Sequence, residues 1–177
     1  YMWRNHYAGT FFTRIAVAFC KRVFCTSKRS YTARFKRTML MPVGFDVGRF
    51  SETGTVTRVP HSILFLSRMA PSKRPDMLID ALGMLKERGL SFSATLVGSP
   101  NPEDEAFYAG LRDHIHLLGL DAMVAFRPAV EHAAAAAVFQ SHEIFVNTSR
   151  TGMFDKTIFE AAASGCLVLA SREDFRN

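Results

Sequence analysis

From residue 62 onward, short uninterrupted apolar runs alternate with stretches of helical periodicity. The runs are Ile63–Leu66, Ala94–Val97, Val124–Phe126, Ile144–Val146 and Leu167–Ala170. Continuous apolar strands, as opposed to alternating ones, predict burial on both faces and a parallel sheet flanked by helices. The intervening helices are punctuated. Pro75 opens one whose buried stripe is expected to be Leu78, Ala81, Leu82 and Leu85, with Gly89 as its stop. Asn101-Pro102, followed by Glu103, Asp104 and Glu105, reads as a side-chain cap, a first-turn proline and acids at the positive dipole end; Gly119 closes that helix. Two more helices fit residues 131–140 and 154–164, the latter ended by Gly165. The order βαβαβαβαβ predicts an α/β fold with a doubly wound, Rossmann-like parallel sheet. Its first and fourth strands should be neighbours, because the strand order reverses there.

Residues 1–61 follow another pattern. A helical segment of about 8–22 leads to Val23-Phe24-Cys25, then a basic helical stretch over 27–36, then Met39-Leu40-Met41. Pro42-Val43-Gly44-Phe45-Asp46-Val47-Gly48 has the proline and glycines of a linker. The expected division is therefore 1–48, a tail of one domain plus the linker, and 49–177, a second domain. The first part is too short for a substantial core of its own. The chain begins with Tyr1, and Leu167–Ala170 is followed by only seven residues, so a fold truncated at both ends is expected.

Charge sharpens this division. Of the 177 residues, 48% are hydrophobic and 21% charged, which fits a packed core and not disorder. The net charge is +6, but residues 1–50 hold ten Lys/Arg against Asp46 alone. The basic segment is open to three readings: a solvated face, an anionic membrane surface, or nucleic acid. Phe11, Phe12, Ile15, Val17, Ala18 and Phe19 interleave with Arg14, Lys21 and Arg22 as in an amphipathic surface segment, whereas no nucleic-acid-binding motif is present. Cys20, Cys25 and Cys166 lack metal-ligand spacing and read as buried thiols in a reducing compartment. Asn147-Thr148-Ser149 matches a glycosylation acceptor, yet it ends a strand expected to be buried, so chance is the better account.

The stretch from Asn147 to Gly165 carries the chemistry. It joins a strand to a short helix through a glycine-containing turn, and Glu160 follows among small and apolar neighbours. Amides at a helix start favour phosphate. A carboxylate one to two turns on suits a sugar hydroxyl. Arg68 and Lys73 lie in the loop after the first strand, where a fork and a compact charge could grip a diphosphate. Spacing alone favours solvated loop cations for Arg68 and Lys73, and an i,i+4 pair with Lys156 for Glu160. Gly98 could let a ligand approach the backbone closely, or be an ordinary loop glycine. His61 and His142 read as surface histidines, and no histidine cluster implies a metal.

Met41-Pro42-Val43-Gly44-Phe45-Asp46, the strand and loop Ile63 to Lys73, and residues 147–165 recur in one order. Together they resemble the donor-binding half of family 4 glycosyltransferases, retaining enzymes of the GT-B fold. The resemblance implies two Rossmann-like domains, this chain holding the C-terminal half of such a fold. Residues 1–48 would be the tail of the acceptor domain plus the interdomain linker. Residues 49–177 would bind a nucleoside diphosphate sugar as substrate, with no cofactor. It assigns the diphosphate to Arg68 and Lys73, which would stabilise the leaving group. It adds Gly98, Val130, Gly152, Met153, Phe154, Asp155 and Glu160 to the donor site. Val130 enters because Phe126-Arg127-Pro128-Ala129-Val130 matches a base-contacting segment, with Pro128 where a glycine is common.

Two departures stand out. The family's Glu-x7-Glu pair keeps its second member as Glu160, but the first falls on Gly152. The glycine usual after the phenylalanine is Asp155, followed by Lys156. The implied activity is sugar transfer to an acceptor hydroxyl with retention, in the cytoplasm or at the inner face of a membrane. The fragment alone is expected to be inactive. Two alternatives stay open: a sugar-nucleotide epimerase of similar fold, and a non-catalytic nucleotide-binding or membrane-docking module.

Overall fold

The fold is a computed structural model that describes residues 1–51, 56–150 and 155–171. The chain divides into two compact units. One contains Tyr1–Phe45, with Ser149, Arg150, Asp155, Lys156 and Ser171; the other contains Asp46–Thr148 and Thr157–Ala170.

The first unit holds three short parallel strands in the order β1-β2-β3: β1 (Met2–Trp3), β2 (Val23–Cys25) and β3 (Thr38–Leu40). Between β1 and β2 runs α1 (Phe11–Phe19), shorter than the span predicted. Thr10 starts it through a reciprocal capping box with Thr13. Thr13 and Val17 are buried, whereas Phe11, Phe12 and Phe19 face outward. The basic stretch 27–36 is not a helix. Only a 3-10 turn forms, Tyr31–Arg34. Side-chain hydrogen bonds compete with helix formation there. Thr32 Oγ1 donates to the Arg4 carbonyl (3.0 Å), Thr38 Oγ1 donates to the Thr32 carbonyl (2.6 Å), and Ser30 Oγ donates to Asn5 Oδ1 (2.8 Å). Cys25 is buried, which pushes its thiol pKa up, but Cys20 is only half-buried, contrary to expectation.

The second unit begins with a single capped turn, α2 (Val47–Phe50), whose Arg49 amide donates to Asp46 Oδ1 (3.2 Å). Next come β4 (Val59–Leu66), α3 (Pro75–Glu87), β5 (Ser93–Val97), α4 (Glu105–Leu117), β6 (Val124–Arg127), α5 (His132–Gln140), β7 (His142–Asn147), α6 (Thr157–Ala163) and β8 (Leu167–Ala170). The five strands are parallel in the order β6-β5-β4-β7-β8. This is the doubly wound α/β sheet expected. β4 and β7 are neighbours, so the chain reverses direction across the sheet between them.

The core confirms the apolar runs and corrects their details. Leu64, Phe65, Leu96 and Phe145 are buried from the strands, and Leu78, Ile79 and Leu82 from α3. The α3 stripe is rotated from the one predicted. Ala81 is exposed, while Ile79 and Gly83 face inward. A side chain at 83 would press on Leu118, 3.1 Å from a Cβ there, so the close approach of α3 to the end of α4 selects the smaller residue. Asn101 does not cap with its side chain; its amide donates to Glu103, and a 3-10 turn over Pro102–Asp104 precedes α4. β8 lies at the sheet's edge and leaves Leu167 and Leu169 exposed, so burial on both faces does not extend to it. His142 is no surface residue either. It is half-buried between the Val138 carbonyl (Nδ1, 2.8 Å) and Thr95 Oγ1 (Nε2, 3.1 Å), and burial lowers its pKa. His61 is exposed, as expected.

Candidate nucleotide-binding site

The carboxyl edge of the five-stranded sheet collects the loops that follow β4, β5 and β6. Ser67 N donates to the Val97 carbonyl (3.1 Å) and Met69 N to the Ser99 carbonyl (3.2 Å), so the β4 and β5 loops are laced together. Ala129 N donates to Ser99 Oγ (3.2 Å), which adds the β6 loop. Gly98 stands at the crossing with φ 153°. A Cβ there would fall 1.8 Å from the Ser67 carbonyl oxygen, so only glycine fits this approach.

These loops enclose a cavity of about 200 Å³ whose walls include Ser67, Arg68, Gly98, Ser99, Ala129 and Val130. Three of the residues singled out from the sequence, Arg68, Gly98 and Val130, thus line one space. Arg68 is exposed and free to turn toward a ligand. Lys73 is buried at 7% exposure. Its loop is tied to the end of β7, because Thr148 Oγ1 donates to the carbonyls of Lys73 (2.8 Å) and Arg74 (2.7 Å). That link joins the β4 and β7 loops at the point where the strand order reverses, the place where doubly wound sheets bind ligands.

Glu160 lies in the first turn of α6 and does not line the cavity. Its side chain is 2% exposed, and Oε1 is 3.2 Å from His132 Nε2. His132 opens α5, packs its ring edge-on to Phe50 (5.4 Å) and approaches Arg49 Nη1 through Nδ1 (3.1 Å). Sequence reasoning missed His132 altogether. It stands 28 residues from Glu160, and no local spacing links the two; its place two residues after Val130, at a helix start, is the one available hint. Asp155 belongs to the other unit, where Ser149 Oγ donates to its carboxylate. Gly152, Met153 and Phe154 lie outside the described residues.

A family model described as glycosyl transferases group 1 matches residues 60–176. Mannosylfructose-phosphate synthase of Agrobacterium fabrum is 30% identical over 147 residues, 76% of this chain and 32% of that protein. D-inositol 3-phosphate glycosyltransferase of Streptomyces avermitilis is 32% identical over 112 residues, 61% of this chain and 24% of that protein. The chain therefore spans a third or less of the length of these two relatives. Among solved structures, Anabaena HepE in complex with UDP and glucose superposes with a TM-score of 0.75 at 24% identity, covering 89% of this chain and 47% of that one. Sucrose-phosphate synthase from Thermosynechococcus elongatus gives 0.73 at 21%, covering 89% and 43%. These likenesses support the Rossmann-like fold.

Proposed function

We propose that this chain, which belongs to the glycosyl transferases group 1 family, holds a nucleoside diphosphate sugar at the carboxyl edge of its five-stranded sheet. The protein then moves the sugar to an acceptor hydroxyl with retention. The observation that carries this reading is the cavity shared by Arg68, Gly98 and Val130 beside the reversal of strand order.

Each residue has a physical task in this reading. As the bond between sugar and diphosphate breaks, negative charge grows on the leaving oxygen, and fixed cations stabilise it most when no rearrangement is needed. Arg68 grips two oxygens with its fork, and Lys73 contributes a point charge from a buried position where Coulomb attraction is less screened. With that charge in place no metal or cofactor is called on. Gly98 lets the backbone come close to the nucleotide, Val130 lies along the base, and the Glu160 carboxylate accepts hydrogen bonds from hydroxyls of the bound nucleotide. Gly152, Met153, Phe154 and Asp155 are assigned to donor binding in this reading on the family resemblance alone. The acceptor attacks from the face the leaving group vacates, without a protein nucleophile. Residues 1–48 belong to the acceptor side and the linker, and residues 49–177 to the donor side.

The test is calorimetric titration of UDP, GDP and ADP. HepE has been crystallised with UDP, which makes UDP the first to try. One of the three should bind, and Arg68→Ala should weaken it about tenfold, the worth of one charge-assisted hydrogen bond. Failure of all three to bind, or an unchanged affinity in Arg68→Ala, would sink the reading.

A second reading concerns location. Phe11, Phe12 and Phe19 are exposed beside Arg14, within the first 50 residues, where ten Lys/Arg face one acidic residue. Among the described residues no helix is long and apolar enough to cross a membrane. The exposed rings and the basic charge are what support this reading, in which a cytoplasmic protein rests on an anionic membrane surface through that segment. Sedimentation with anionic vesicles should exceed sedimentation with neutral ones and fall with salt. Equal sedimentation with both removes this reading.

A further inference from the structure

Glu160 is a carboxylate at 2% exposure, and a buried carboxylate needs hydrogen-bond donors of fixed geometry to hold it in one orientation. His132 Nε2 stands 3.2 Å from Glu160 Oε1. The other ring nitrogen, Nδ1, is 3.1 Å from Arg49 Nη1. A guanidinium only donates, so Nδ1 must accept. The ring is then neutral, its single proton sits on Nε2, and that proton points at Glu160. Arg49 is held in turn by the α2 turn that Asp46 caps, and the edge of Phe50 braces the imidazole at 5.4 Å. A chain Arg49 to His132 to Glu160 thus sets one carboxylate orientation from a turn more than a hundred residues away in sequence.

We infer that His132 is a positioning residue: it fixes the Glu160 carboxylate, and through it the site's preference for a ribonucleotide over one lacking ribose hydroxyls. This rests on the reading that Glu160 accepts hydrogen bonds from the nucleotide. His132 touches neither diphosphate nor base in this scheme. Losing it should leave diphosphate affinity alone and erase discrimination at the ribose. Arg49 acts one step further back. Without its donor, Nδ1 competes for the ring's proton, and the carboxylate loses the Nε2 donor for part of the time.

The experiment is calorimetry on the full chain with three probes: the nucleoside diphosphate that binds best among UDP, GDP and ADP, its 2′,3′-dideoxy counterpart, and inorganic diphosphate. The wild type should prefer the ribonucleotide about tenfold, and Glu160→Gln should abolish that preference. His132→Ala should abolish it as fully while inorganic diphosphate binds as before. His132→Gln, whose amide nitrogen can stand where Nε2 stood, should retain most of it. Arg49→Met should fall between. A structural role for His132 would instead lower all three affinities together. Should His132→Ala fail to fold, His132→Phe keeps a ring on Phe50, removes the donor and serves the same purpose. If Glu160→Gln loses the preference but His132→Ala and His132→Phe keep it, the inference is overturned and the reading of Glu160 stands. If Glu160→Gln itself keeps the preference, both fall.

Discussion

The two units of this chain are both parallel sheets with helices, yet they are held by different forces. In the second unit β4 runs for eight residues and β7 for six, and their phenylalanines are sealed: Phe65 is 2% exposed and Phe145 is fully buried. In the first, no strand among the described residues exceeds three residues, and Phe19 and Phe12 are 87% and 77% exposed. What orders the first unit is a web of polar side chains: Asn5, Thr32 and Thr38 satisfy backbone groups, and Ser30 donates to Asn5. Burial is non-directional and grows with area, whereas a hydrogen bond returns about 1 kcal/mol net but costs more when broken in a buried place. The difference tells where each unit is sensitive: the second to lost volume, the first to lost donors.

The strongest test of that contrast removes a phenylalanine from each. Phe65→Ala opens a cavity among Met69, Leu82 and Leu96 in the core cluster, and should cost about 3–5 kcal/mol in urea denaturation. Phe19→Ala deletes a ring that is already in water and should stay within about 0.5 kcal/mol of the parent. Comparable losses in both variants would mean that Phe19 is covered in solution, and the contrast would fail.

The converse test targets a donor. Thr32 is wholly buried, and its hydroxyl donates to the Arg4 carbonyl, bridging 28 residues of the first unit. Thr32→Val keeps the shape and removes the donor, leaving the half-buried Arg4 carbonyl without this hydrogen bond. The expected cost is about 1–3 kcal/mol, with hydrogen exchange quickening at amides of residues 1–45 before those of β4 and β7. A neutral variant would place the stability of the first unit elsewhere.

The same contrast explains how much could be read ahead of the structure. The strands of the second unit were legible because their apolar runs are continuous, and the neighbouring of β4 and β7 followed from connection rules once five strands alternated with helices. Arg68, Gly98 and Val130 share a cavity because each follows a strand of one sheet, which is again a topological fact. Residues 27–36 were misread because helical periodicity says nothing of Thr32 and Ser30 bonding across to Arg4 and Asn5. Ala81 was taken for a core position on spacing alone; the actual face turns Ile79 and Gly83 inward because α4 approaches at Leu118. His132 was overlooked for the same reason. Its partners Arg49 and Glu160 are assembled by the fold alone, and a lone histidine at a helix start carries no periodic mark.

The smallest expected effect separates the units by pH. Each contains a buried titratable group that burial holds neutral: the Cys25 thiol, pushed up, and the His142 imidazole, pushed down. Cys25 is protonated in the folded and unfolded chain alike at neutral and mildly acid pH, so acidification asks nothing of it. His142 behaves otherwise. Its folded pKa lies below the ordinary 6.5, so on acidification the unfolded chain takes up the proton first. Stability rises with pH wherever the unfolded state binds more protons. The contribution is therefore intact well above about pH 6.5, begins to be lost as the unfolded histidine titrates, and is fully lost once the pH passes below the folded value. A protonated ring would also lose the acceptor at Nε2 that faces Thr95 Oγ1, 3.1 Å away. The expected observation is a midpoint in urea that falls between about pH 7.5 and pH 5 in the wild type, and falls less in His142→Gln, where position 142 no longer titrates. If the two proteins show the same slope, the acid sensitivity of the second unit arises from its other titrating groups and not from this histidine.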